Sequence, residues 1–463
     1  MRAMKTLTDP SHALGNGLAA IRTEFQVPDA FPAVVLEAAA VASRRDPIAH
    51  ADRTGMPFVT LDPATSTDLD QALSIEVSGG DLLLHYAIAD ISWFVDDGDL
   101  IDQEAWRRGE TLYLPDGKAG LYPPVLSEGA ASLLPDGPRP AVIFTVRVNG
   151  DGGVRLDGAE RAIIRSRAKL AYDRVREADL PAGFAELARR IQAAESRRGA
   201  ARVDPPEQEV AAFPGGGYQL VFRPRLASEE SNAALSLATN LAIADMLHSH
   251  RTGLFRVMAG PDQNAIARLR QTAQALGVDW AETTPLVTFV PTLDQHDPIH
   301  AALMLAIRRA GPGASYATYQ EGVVPWHAAM AATYVHATAP LRRLADRYVV
   351  RAALEIANGR PVPVAVSQAF ERLPATMARA DALAGRIGRA AIDLAEASLL
   401  AGKEGTVYSA IVTEVDDRWA KIQLRDLPVI GRVAAGGVAP GDPVDVRLAS
   451  IDTRRRTIAF ERS

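Results

Sequence analysis

The chain of 463 residues has no cysteine, which excludes a disulfide framework, a thiolate metal site and a cysteine nucleophile. That absence fits a reducing compartment, and a cytoplasmic protein is expected. The N-terminal segment MRAMKTLTDPSHALGNG lacks an apolar core of signal-peptide length, and no stretch of about 18 uncharged apolar residues follows, so no membrane partner is expected. An excess of positive charge is missing too. The net charge is -6, which argues against a generally basic nucleic-acid binder and restricts any such path to a local cationic strip. Strips of that kind are formed in sequence by Arg342, Arg343, Arg347 and Arg351, and by Arg454, Arg455 and Arg456. Internal repeats and low-complexity tracts are also lacking, and no obligate protein partner is evident.

What is present is an ordinary globular composition, 48% hydrophobic and 23% charged, in a chain long enough for two to four domains. Its most informative run is FVTLDPATSTDLDQA, which places Asp62, Asp68, Asp70 and Gln71 within ten residues. Carboxylates held close repel by roughly 4 kcal/mol per pair at about 4 Å and an effective dielectric near 20, so a fold must protonate or neutralise them. Oxygen donors without histidine or cysteine suit magnesium, with manganese as the alternative. The same residue types also make ordinary solvated turns. A helix-loop-helix calcium site fits worse, because the run lacks the central glycine and the closing glutamate.

Residues 1–50 read as a small helical module, since LAAIRTEF and FPAVVLEAAAVASR carry apolar residues at helical spacing around Pro28 and Pro32. A helix-turn-helix or a simple packing role is open at this point. From Phe58 the pattern turns to strands, VTL, ALSIEV, LLLHYAIA and VIFTVRV. From about Leu187 helical periodicity takes over, ending in a long run from Val366 to Leu400. After Gly402, five short alternating segments joined by Gly, Asp and Pro predict a small OB-type barrel over 402–463. The expected class is α+β, with a mixed α/β domain over 51–401 between the helical module and the five-stranded barrel.

The acid run, the following HYAIADISWFVDDGDLIDQEAWRRGETLYLPDG, and then IRSRAKLAYDRV, RRGAARVDPPE and YVHATAPLRRLADRY together resemble the RNB domain of the ribonuclease II family. These are 3′-to-5′ hydrolytic exoribonucleases acting on single-stranded RNA. The resemblance runs over about residues 45–400. It implies Asp62 and Asp68 as magnesium ligands and Asp70 as the acid tied to water activation or a second metal. Gln71 stands where the family commonly has a fourth aspartate, although one branch shares Asp-Leu-Asp-Gln-Ala. By the same resemblance Arg342 contacts the scissile phosphate, with Arg343 beside it.

The remaining implied contacts are to RNA. Tyr113 matches the tyrosine that stacks on the terminal base, while the phenylalanine completing that clamp falls on Val203. Tyr172 matches a tyrosine near the ribose, where the 2′-hydroxyl separates RNA from DNA. The family's paired glutamates fall on Glu229 and Glu230, with Asn232 nearby, or on Ala233 and Ala234 in a gap-free match. A late-helix glutamate falls on Arg389. His336 reads as a satisfied polar residue rather than a ligand. The implied products are nucleoside 5′-monophosphates, and the rival reading is an RNA-binding protein that keeps the fold without the chemistry.

Overall fold

The computed structural model describes residues 13–200, 207–213, 217–223, 225–294, 297–416 and 418–463. Val203, expected at the base clamp, lies outside the described residues.

The first nine strands are β1 (Ala51–Asp52), β2 (Thr60–Asp62), β3 (Gln71–Ser78), β4 (Asp81–Ala89), β5 (Leu112–Leu114), β6 (Gly117–Ala119), β7 (Arg139–Val148), β8 (Val154–Ile164) and β9 (Lys169–Ala171). Five of them form one sheet in the order β1-β8-β7-β4-β3. β3 and β4 join through a two-residue turn, and Gly79 takes a φ of 64° there, a conformation that glycine adopts without a Cβ penalty. β4 and β7 are almost continuously buried, as strands covered on both faces must be. Their cover includes helix α5 (Ala227–Ser249), whose Leu235, Ala238, Ile243 and Leu247 share the core with Leu84, Ile88 and Phe144.

β2 lies outside this sheet and pairs in parallel with β9, while its preceding residue Val59 bridges Leu73 of β3. The acid run therefore leaves one short strand pair and enters the edge of the main sheet. β5 and β6 form a hairpin in which Tyr113 faces Lys118.

The helix α1 (Ala13–Glu24) packs tightly on the long helix Val364–Leu400. A Cβ on Gly17 would come within 2.5 Å of Leu394, so any larger residue there would have to push that side chain aside. Leu14, Leu18 and Ile21 share one core with Leu394, Leu399 and the barrel residues Val412, Ile422 and Val446. The helix α2 (Ala33–Ala42), by contrast, buries Ala39 and Ala42 in the core of the main sheet. The two N-terminal helices thus each serve a different core.

The C-terminal strands Val407–Val415, Trp419–Leu424, Ile430–Ala434, Pro443–Asp452 and Thr457–Arg462 are the five expected from alternation. They form an antiparallel sheet that nearly closes, with the third strand brought against the last. A Cβ on Gly431 would sit 2.6 Å from the Phe460 ring, which marks the closure point.

Candidate active site

The loop between β2 and β3 is fastened from below before any of its acids is used. Ser132, fully buried, donates to the Thr67 carbonyl at 2.7 Å and accepts from the Leu69 N–H at 2.9 Å. Lys169 on β9 donates to the Ala64 carbonyl at 2.9 Å and also to the Ser66 carbonyl. With Leu69 buried in the core, its neighbours Asp68 and Asp70 turn to the other side, as extended geometry dictates.

Asp70 is 4% exposed. Its Oδ1 accepts the Leu341 N–H at 2.7 Å, and its Oδ2 lies 3.6 Å from Arg342 Nε. Burial pushes its carboxyl up to about 8, against the pull of Arg342 and the Leu341 bond, and Asp68 adds to the rise. Burial likewise pushes Asp62 up to about 7, with Arg342 opposing and Asp68 reinforcing. Asp62 Oδ2 is buried and has no hydrogen-bond partner among the described residues. An orphaned carboxylate oxygen and a second raised carboxyl, both facing Arg342 and Asp68, are an arrangement a hard cation relieves, so these two donors fit magnesium or manganese.

Asp68 is near enough to raise both of these carboxyls and has partners of its own. Its Oδ1 accepts from Lys118 Nζ at 2.8 Å, and its Oδ2 accepts weakly from Tyr113 OH at 3.4 Å. Gln71 Oε1 accepts from the hydroxyl of the fully buried Tyr86. No group of three or more metal-ligating carboxylates or imidazoles is assembled among the described residues.

The arginine segment makes a turn over residues 340–342, and Arg343 is extended at the start of the helix Leu344–Ala357. The Thr111 N–H donates to the Arg342 carbonyl at 2.9 Å, and the Leu344 N–H donates to the Gly109 carbonyl at 3.0 Å. The Arg342 side chain is 40% exposed toward the acids. Arg343 points the other way. It binds Asp346 through Nε at 2.9 Å and Nη2 at 2.7 Å, in a buried fork that burial opposes and the Asp346 carboxylate overcomes. The expected cationic strip dissolves in the same manner, since Arg347 pairs with Asp102 at 2.7 Å and Arg351 with Asp97 at 2.8 Å. At the C-terminus Arg456 pairs with Glu24 of α1 at 2.6 Å.

Tyr113 is 55% exposed, with its ring open on the hairpin. The Tyr172 hydroxyl accepts from Asn232 at 2.9 Å, and Asn232 also donates to the Leu61 carbonyl at 3.3 Å. Burial and the neighbouring Asp62 push the Tyr172 phenol up. Glu229 caps α5 through the Leu226 N–H at 2.8 Å and pairs with Arg223 at 3.0 Å, whereas Ala234 is buried in the core. Glu230 lies beside Glu229 in the first turn of α5. His336 is satisfied by Tyr316 OH at 2.9 Å. Arg389 stands elsewhere, among the charges of Arg309, Lys421 and Asp393 at the barrel seam.

Lys118, Glu128 and Tyr86 were missed from sequence. The usable signal for Lys118 was the Pro115-Asp116-Gly117 run after TLYL, whose two-residue turn Pro115-Asp116 sets Lys118 opposite Tyr113. Nothing local marks Tyr86, whose role depends on cross-strand placement.

Known proteins share this fold. The RNB domain family matches residues 51–357, and the RNase II-type exonuclease C-terminal S1 domain matches residues 406–463. The ribonuclease R of Thermotoga maritima is 25% identical over 94% of this chain and 65% of its own length, so the chain spans less than two thirds of that relative. The structure of Mycoplasma genitalium ribonuclease R in complex with ribose-methylated single-stranded RNA superposes with a TM-score of 0.86 at 20% identity, covering 99% of this chain and 79% of that one. Yeast Ssd1, a pseudonuclease, shares the fold with a TM-score of 0.68 at 16% identity over 98% of this chain and 58% of its own. With the sheet, the aspartate loop and the arginine segment all inside the matched region, the chain belongs to the RNB-domain family of ribonuclease II type.

Proposed function

We propose that this protein is a metal-dependent, sequence-nonspecific 3′-to-5′ exoribonuclease that degrades single-stranded RNA to nucleoside 5′-monophosphates. The observation that carries the reading is the buried pair Asp62 and Asp70 with Arg342 beside it. Magnesium bound there would supply Lewis acidity and charge relief at the scissile phosphate.

The chain's own residues do the rest. Leu341 pins one oxygen of Asp70, leaving Oδ2 to take a proton from the attacking water. Water oxygen bonds to phosphorus, the bond to the departing 3′ oxygen breaks, and that oxygen is protonated from solvent. The half-exposed guanidinium of Arg342 presents a fork of donors to the phosphoryl oxygens as charge builds. Tyr113 offers a stacking face for a base, worth about 1 to 3 kcal/mol. Tyr172, whose hydroxyl accepts from Asn232, would meet the ribose and its 2′-hydroxyl.

The second reading is an RNA-binding scaffold without chemistry. It is favoured by one observation, that Gln71 and Asp68 both have their oxygens engaged within the protein. End-labelled RNA incubated with the purified chain, with magnesium or with chelator, separates the two. Chelator-sensitive release of mononucleotides supports the enzyme, and binding without shortening supports the scaffold. A DNA strand of the same sequence tests the ribose assignment.

A further inference from the structure

The site holds more fixed positive charge than a phosphate-binding arginine alone provides. Lys118, at the far side of the β5-β6 hairpin, places Nζ 2.8 Å from Asp68 Oδ1 and 3.1 Å from Glu128 Oε1. The three side chains are only 25%, 10% and 30% exposed respectively. Glu128 is steadied in turn by Thr67, whose hydroxyl donates to Oε2 at 2.9 Å. Cross-strand pairing puts Tyr113 and Lys118 side by side, so that one hairpin engages both oxygens of Asp68. The oxygens left open are Asp62 Oδ2, which has no partner among the described residues, and Asp70 Oδ2, whose nearest cation is Arg342 at 3.6 Å.

We infer that Lys118 is a positioning residue that acts as the resident cation of the Asp68 side, so that the site takes one divalent ion, on Asp62 and Asp70, rather than two. The charges are consistent with this division. Asp62, Asp68 and Asp70 carry three negative charges, which one divalent ion and one ammonium match, and Arg342 is left for the substrate. Glu128 adds a fourth carboxylate, but water screens it more than the other three. A second divalent ion beside Asp68 would have to displace an ammonium already at contact distance, and Gln71 offers no charge in compensation. The inference rests on the metal-dependent reading above.

The test counts ions on the full chain by electron paramagnetic resonance of free manganese during titration. The wild-type chain is expected to bind one manganese ion. Lys118→Met should bind a second, or hold the first at least about tenfold tighter, a change of about 1.4 kcal/mol. Lys118→Arg keeps the charge and should restore the count of one, which a merely structural role for the lysine does not require. Lys118→Gln replaces Lys118→Met if the latter melts below the assay temperature. Two ions on the wild-type chain, or a neutral variant identical to it in number and affinity, would overturn the assignment of Lys118 while leaving the exonuclease reading intact. No manganese bound by the wild-type chain would overturn both.

Discussion

Asp70 Oδ1 accepts the backbone N–H of Leu341 at 2.7 Å across 271 positions of sequence. Because the donor is a peptide group, the contact fixes the arginine segment and not merely one side chain against the acid loop. Arg342, the next residue, then falls 3.6 Å from the other oxygen of the same carboxylate. The spacing of acid and guanidinium is therefore set by main chain, from the edge of the sheet to the turn before the helix Leu344–Ala357.

Asp70→Asn separates charge from position. The amide oxygen can still accept from Leu341, while the base and one negative charge are gone. Single-turnover cleavage is expected to fall by about 10² to 10⁴-fold, with RNA affinity unchanged or higher in filter binding. Asp70→Ala also orphans the Leu341 N–H, which should cost about 1 to 3 kcal/mol in a denaturant melt.

The raised carboxyls of Asp62 and Asp70 make stability depend on pH with a definite sign. Between their ordinary value of 3.8 and the folded values of about 7 and about 8, the folded chain holds protons that the unfolded chain has released. Stability thus falls as pH rises through that window and levels off above it. A divalent cation favours the ionised carboxylates, so added magnesium should raise the melting temperature more near about pH 8.5 than near about pH 6. Thermal melts of the Asp62→Asn, Asp70→Asn double variant should lose both the slope and the magnesium response. An equal magnesium effect at both pH values would mean that the ion binds elsewhere.

Adjacent arginines should fail in opposite ways. Asp346 is fully buried and also accepts the Ala339 N–H at 2.8 Å, so Arg343→Ala strands a buried charge at a cost of about 3 to 5 kcal/mol. Arg342→Ala removes a half-exposed side chain, leaving stability within about 0.5 kcal/mol but lowering the cleavage rate by about 10² to 10³-fold. Denaturant midpoints and single-turnover rates measured on both variants check the assignment, and a stable Arg343→Ala would refute it.

That division shows what the sequence could and could not convey. The barrel was legible because each strand carries its own alternation, and Gly and Pro punctuate the turns. The acids were legible because they lie within one loop. Arg343, Arg347 and Arg351 read as a cationic strip, because their partners Asp346, Asp102 and Asp97 include residues about 250 positions away. The pairing of Leu254–Val257 with Ser315–Thr318 was missed for a similar reason, since neither segment closes a local hairpin. Gln71 stands in sequence beside the acids, and nothing local announces that its oxygen accepts from Tyr86 on the neighbouring strand. Side chains whose partners lie in sequence-distant elements carry no local signal of their occupation.

Arg389 supplies the last prediction. It is exposed on the long helix Val364–Leu400, and its charge, with those of Arg309 and Arg432, lowers the Lys421 ammonium to about 8, burial being the larger cause. The cations at the seam between the helix Pro298–Ala310 and the barrel, where Glu414 lies 3.6 Å from Arg309 as counter-charge, are proposed as a path for a polyanion, because a phosphate backbone would relieve their mutual repulsion. Deleting the barrel is a poor test, since Leu394 and Leu399 of the long helix share its core and would be exposed. Arg389→Ala and Arg432→Ala leave that core intact. Each substitution that removes a phosphate contact should reduce the slope of log K against log salt by about 0.7 for single-stranded RNA, while single-turnover cleavage of already bound RNA stays unchanged. Fluorescence anisotropy over a range of salt reads the slope directly, and slopes equal to wild type in the double variant would move the RNA path off this seam.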